Sequence, residues 1–96
     1  MSELPQFIWD DQKSAANLRK HGVSFDEAQT AFDDEYALII ADEAHSEQEA
    51  REILIGYSQN NRLLFVAFVE RATNLIRIIS ARHATTRERN AYETRR

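Results

Sequence analysis

The sequence predicts an α+β two-layer domain: a short N-terminal strand and two helices, then an antiparallel sheet, then a C-terminal helix. Three observations predict it. Apolar residues recur at helical spacing in the first third, then switch to a period of 2 or to unbroken apolar runs between residues 36 and 82. Helix-start signals stand before residue 33, at Asp10 and Ser24, and again after residue 84, at Thr85. Only two glycines and one proline interrupt the 96 residues, so most of the chain is expected in regular structure within a single domain, residues 1–96. Helices packed on one face of a strand meander satisfy all three.

Residues 1–6 read as a loose end, and Phe7-Ile8-Trp9 as a short edge strand. Asp10 suits an N-cap, and Gln12 to Lys20 are good helix formers. Arg19, Lys20 and His21 stand at that helix's C-terminal end, where cations suit the dipole, and Gly22 can end it in the left-handed conformation. Ser24-Phe25-Asp26-Glu27 is a capping box, opening a helix over 25–32 whose Phe25, Ala28 and Phe32 share a face. Tyr36 to Ala41 reads as a strand, 42–50 as an acidic loop with His45, and Arg51 to Tyr57 as a second strand. Ser58-Gln59-Asn60-Asn61 is turn chemistry, leading into the fully apolar run Leu63 to Val69, expected at the sheet centre. A turn at 72–74 precedes a last strand over 75–82. Thr85-Thr86-Arg87-Glu88 is a further capping box, opening a helix through Tyr92 that frays over 94–96.

Hydrophobic content of 43% and charged content of 29% match an ordinary folded domain. No apolar run approaches the ~20 residues of a membrane span, and Met1 to Gln6 lacks the basic and apolar regions of a signal peptide. A cytoplasmic protein with no membrane association is expected. The absence of cysteine excludes disulfides and thiolate metal sites. His21, His45 and His83 are scattered without metal-ligand spacing, so neither a metal nor another cofactor is expected.

The net charge of −4 conceals an asymmetry: residues 1–50 carry 12 acids against 3 basic side chains, and residues 51–96 carry 4 acids against 9 arginines. Arginine's planar fork suits phosphate and carboxylate, so the second half suggests a phosphate-bearing or acidic partner. Pairing of these arginines with the acids of the first half accounts for the pattern equally well.

The run Ile76-Arg77-Ile78-Ile79-Ser80-Ala81-Arg82 places two arginines on a largely apolar strand. Strict alternation puts Arg77 and Arg82 on opposite faces; one β-bulge between them brings both to the same face. An internal ion pair, for instance with Glu70 or an early aspartate, competes with a ligand-binding role. His21 suits a charge–dipole role, and an exposed loop His45 is more often merely solvated.

Together these residues resemble a family. Phe7-Ile8-Trp9-Asp10, Lys13, Asn17 to Phe25, Ala28 and Phe32-Asp33-Asp34 are similar to the opening of BrnT-type toxins. Arg51, Ile55 to Ser58, Arg62-Leu63-Leu64 and Glu70-Arg71 continue the likeness. Ile76 to Arg82, Ala84, Arg87-Glu88-Arg89 and Tyr92-Glu93 are similar to that family's ending, so the resemblance spans about residues 7–93. It implies a RelE-like fold and a ribonuclease that arrests translation as the toxin of a type II toxin–antitoxin module. It also implies a BrnA-like ribbon-helix-helix antitoxin as partner, RNA as substrate, and operator DNA contacted only through the antitoxin.

Metal-free RNA cleavage uses the ribose 2′-hydroxyl as nucleophile. It needs a base near that hydroxyl, an acid at the leaving 5′-oxygen and cations around the phosphorane. Arg77, Arg82 and Arg62 are the expected charge stabilisers, Arg77 and Arg82 because they stand in the family's terminal motif. His45 and Glu49 are the expected proton-transfer groups, and Arg51, Tyr57 and His83 are expected to bind RNA, with an aromatic stacking the base that flanks the cut. A non-catalytic module that only forms the antitoxin complex and joins in operon repression is the alternative, and growth arrest on expression alone separates the two. Direct DNA binding is weaker, because no helix presents a basic recognition face.

Overall fold

Three side chains cap the helices where the sequence places them, in a computed structural model that describes residues 4–45 and 49–95. Residues 46–48 of the expected acidic loop, and the outermost residues of both termini, lie outside the described residues. The Asp10 carboxylate accepts the Lys13 backbone N–H at 3.0 Å and opens α1 (Asp11–His21). Gly22, at φ +72°, closes α1 by donating its N–H to the Leu18 carbonyl. Ser24 accepts from the Glu27 N–H at 3.0 Å and opens α2 (Phe25–Thr30), which tightens into a 3-10 turn over Ala31–Asp33. Here only half of the expected capping box forms, because the Glu27 carboxylate turns away to Ser58 and Arg62. At α3 (Thr86–Thr94) both halves form between Thr85 and Glu88.

The strands are β1 (Gln6–Ile8), β2 (Leu38–Ala41), β3 (Arg51–Tyr57), β4 (Leu63–Ala72) and β5 (Leu75–His83). They form one five-stranded sheet in the order β1-β5-β4-β3-β2, with the apolar β4 at its centre as expected. From β2 to β5 the sheet is antiparallel; β1 adds to β5 in parallel, Phe7 beside Ile76, so the sheet is mixed. Nothing local in Phe7-Ile8-Trp9 encodes that pairing, since its partner lies at the far end of the chain.

One face of the sheet carries Leu54, Leu64, Val66, Phe68, Ile76, Ile78 and Ala81, buried against Val23, Phe25, Ala28 and Ala31 of the first two helices and their flanks. Phe7 and Phe32 close the margin, ring centroids 4.9 Å apart. The third helix departs from the expectation of helices on one face. Its Tyr92, 2% exposed, packs with Ile53, Ile55, Leu63 and Ala67 on the opposite face. Only one end of that face is covered this way.

The two arginines of β5 reach that second face together. Ala67 pairs with Ser80 while Phe68 pairs with Ile78, so Ile79 is the extra residue of a bulge lying between Arg77 and Arg82. On β4, Val69 stands opposite Arg77 and Phe65 opposite Arg82, both on the same side as Ala67. Among the described residues, no helix is long and apolar enough to cross a membrane.

Candidate functional site

Beyond the cover of α3, the second face of the sheet opens into two neighbouring clefts. The first, about 350 Å³, is lined by Lys13, His45, Glu49, Arg51, Val69, Arg77 and Ile79. The second, about 480 Å³, is lined among others by Asp42, Phe65, Ser80 and Arg82, and shares His45 and Arg51 with the first. Each side chain arrives by a different route. The bulged β5 turns Arg77 outward, the first residue of β3 supplies Arg51, α1 contributes Lys13 from its first turn, and a 3-10 turn over Glu43–His45 brings in the histidine.

Arg77 is half-buried and, among the described residues, has neither a carboxylate nor a hydrogen-bond partner. A partly desolvated guanidinium held beside a lysine and a second arginine can take an anion, because an incoming anion supplies the pairing that Arg77 does not find among the described residues. The competing expectation for Arg77, an internal ion pair with Glu70, is not what the fold builds.

His45 donates from Nδ1 to the Asp42 carboxylate at 3.1 Å, which leaves Nε2 for proton exchange with a ligand. Glu49 lines the same cleft and pairs with Arg71 at 3.0 Å. Arg82 is differently engaged. Its Nη1 and Nη2 each donate to an oxygen of Glu88 at 2.9 Å, Nη1 donates again to the His83 carbonyl at 3.0 Å, and the guanidinium lies 3.8 Å from the Phe65 ring centroid. The Arg82 hydrogen bond, which outweighs the opposing effect of burial, holds the Glu88 carboxyl below the usual carboxylate range.

Of the residues singled out in the sequence, Arg77, Arg51, His45 and Glu49 therefore meet at one cleft, and Arg82 stands at the next. Arg62, Tyr57 and His83 do not join them. Arg62 lies on the helix side of the sheet, where it forks onto Glu27 and donates to the Gly22 carbonyl at 3.1 Å. Glu27 is 7% exposed, and the Arg62 hydrogen bonds pull its carboxyl below the ordinary range against the effect of burial. His83 points to that side as well, with Nε2 3.5 Å from Arg62 Nη1. Tyr57 is half-buried, edge-on to Tyr92 at 5.5 Å, accepts from Arg89 at 2.9 Å, and borders a hollow lined by Asp33 and Asp34 rather than by cations.

Lys13 and Phe65 are among the cleft residues not singled out as site residues from sequence. For Lys13 a signal existed. A cation in the first turn of a helix opposes the dipole, and a residue that costs helix stability there invites a second explanation. For Phe65 there was none, since an aromatic in an apolar strand looks like core.

A family model described as "Ribonuclease toxin, BrnT, of type II toxin-antitoxin system" matches residues 9–88. Among solved structures, the chain is similar to the 1.1 Å crystal structure of the Brucella abortus ribonuclease toxin BrnT, with a TM-score of 0.65. The match covers 85% of this chain and 99% of that one at 23% identity, so the likeness is one of fold. No curated protein sequence matches the chain.

Proposed function

Because the chain belongs to the BrnT family of ribonuclease toxins of type II toxin–antitoxin systems, we propose that it cleaves RNA at the Arg77 cleft without a metal and so arrests translation in the cytoplasm. The observation that carries this reading is Arg77 itself: half-buried, without a protein partner among the described residues, and gathered with Lys13, Arg51 and His45. The scissile phosphate sits among Arg77, Arg51 and Lys13. The ribose 2′-oxygen attacks phosphorus, the phosphorus–5′-oxygen bond breaks, and the three cations stabilise the charge on the phosphorane oxygens. His45 and Glu49 divide the proton transfers, one taking the 2′-hydroxyl proton and the other protonating the leaving 5′-oxygen. Arg62 serves the fold in this scheme, not the reaction.

Two measurements test it. Expression of the chain without its antitoxin should stop growth. The purified protein should cut a model RNA in the presence of EDTA and leave 2′,3′-cyclic phosphate ends. Loss of cutting on chelation, with 5′-phosphate products, points instead to metal-assisted hydrolysis.

The partner in this reading is a BrnA-like ribbon-helix-helix antitoxin that also contacts operator DNA, and it inhibits by covering the open face of the sheet. Antitoxin and RNA then compete, and the complex weakens with salt. A double charge reversal, Lys13→Glu with Arg77→Glu, is expected to reduce antitoxin affinity at least tenfold, about 1.4 kcal/mol. Unchanged affinity in the folded double variant would place the antitoxin elsewhere, for instance on the acidic helices of residues 10–32.

A further inference from the structure

We infer that the second cleft is a nucleobase subsite, in which the Arg82–Phe65 pair is a stacking platform for the base flanking the scissile phosphate; this rests on the ribonuclease reading. Arg82 is poorly placed to grip phosphate. Both of its terminal nitrogens donate to Glu88, and one donates again to the His83 carbonyl, so the fork that would clasp phosphate oxygens already clasps a carboxylate. What that clasp leaves is a guanidinium plane held over an aromatic ring, 3.8 Å from its centroid. The side chain remains 35% exposed and lines the cleft. A flat cationic surface backed by an aromatic ring stacks nucleobases of any sequence.

The surroundings suit a base. The 480 Å³ volume lies within the range of small-molecule sites, Ala67 and Ile53 give it an apolar floor, and the exposed Ser80 offers a hydroxyl to a base edge. It is also in the right place. Val69, opposite Arg77, and Phe65, opposite Arg82, stand four residues apart on one strand, about 13 Å, and His45 and Arg51 border both clefts. A strand with its phosphate at Arg77 can therefore reach the platform. The bulge at Ile79 serves both functions, because it puts the platform and the phosphate site on one face.

The test uses two RNA oligonucleotides that differ only in one abasic ribose beside the cleavage site. Binding and cleavage are measured for the wild type, for Phe65→Leu, which keeps an apolar side chain without the ring, and for Phe65→Tyr, which keeps the ring. The wild type is expected to prefer the intact RNA about 5- to 150-fold, the span of single-base stacking. Phe65→Leu should bring that ratio close to one, and Phe65→Tyr should retain it. A wild-type ratio near one overturns the inference whether or not either variant folds, and so does an undiminished ratio in folded Phe65→Leu. If the wild type cuts RNA but ignores the missing base, only the base subsite fails. If it neither binds nor cuts RNA, the ribonuclease reading fails with it.

Discussion

Arg77→Ala is expected to abolish growth arrest and to lower RNA cleavage about 10²–10³-fold, the usual cost of removing one donor aimed at a developing oxyanion. Stability should hardly change. Among the described residues no carboxylate loses a partner when this guanidinium goes, and relief of its repulsion with Lys13 and Arg51 offsets part of the lost packing of its stem. The midpoint of thermal unfolding should stay within about 4 °C of the wild type, the shift that under 1 kcal/mol causes in a domain of this size. Arg82→Ala is the contrast, because it strands Glu88 and uncovers Phe65, so its midpoint should fall as well. An Arg77→Ala protein that melts much earlier yet retains full activity per folded molecule would show Arg77 to be structural.

The largest effect on stability is expected at Arg62. Removing it leaves the Glu27 carboxylate, 7% exposed, without its cation. Because Arg62 is itself 36% exposed and Ser58 still donates to Glu27, the cost is that of a charged hydrogen-bonded contact, about 1.5–3 kcal/mol, below that of a fully buried pair. In a domain of 60–100 residues that is on the order of 6–24 °C in the unfolding midpoint. The effect should depend on pH with a defined sign. Arg62 holds the folded-state pKa of Glu27 below its unfolded value, so the stabilisation is complete above the ordinary carboxylate range and is lost as pH falls through the depressed value. Without Arg62 only the Ser58 and Asn60 hydrogen bonds remain to oppose the effect of burial, so the dependence on pH flattens. The gap between wild type and Arg62→Ala should therefore narrow on acidification through and below the ordinary carboxylate range. A gap that stays constant over that interval argues that the loss comes from packing of the arginine stem. Growth arrest in a folded Arg62→Lys variant should survive, since the side chain lies on the far side of the sheet from the clefts.

Most elements were legible because their signals are local. Asp10, Gly22, Ser24 and Thr85 act within a turn of their own positions, and the apolar run of β4 declares a central strand by composition alone. The bulge was legible as a condition: two arginines five residues apart share a face only if one residue is left over, and Ile79 is that residue. What was hidden depends on partners distant in sequence. Arg62 reads as one more basic residue until Glu27, 35 positions earlier, is seen beneath it. Tyr57 looks like a surface aromatic, but α3 crosses to the second face and lays Tyr92 edge-on against it. Alternation places a side chain on one side or the other of a sheet; it does not say which side a later helix will cover.

The parallel pairing of the first strand with the last has a consequence in time. Gln6 to Ile8 pair with Leu75 to Arg77, and the buried Asn17 side chain bonds to both backbone groups of Ala81 across 64 residues. At a translation rate of roughly 5–20 residues per second, the first strand waits several seconds for its neighbour to be made. Until then α1 has no β5 to rest on, and Lys13 has no Arg77 beside it. The strand that completes the sheet is also the one that carries Arg77 and Arg82, so the two clefts take shape only when the sheet does.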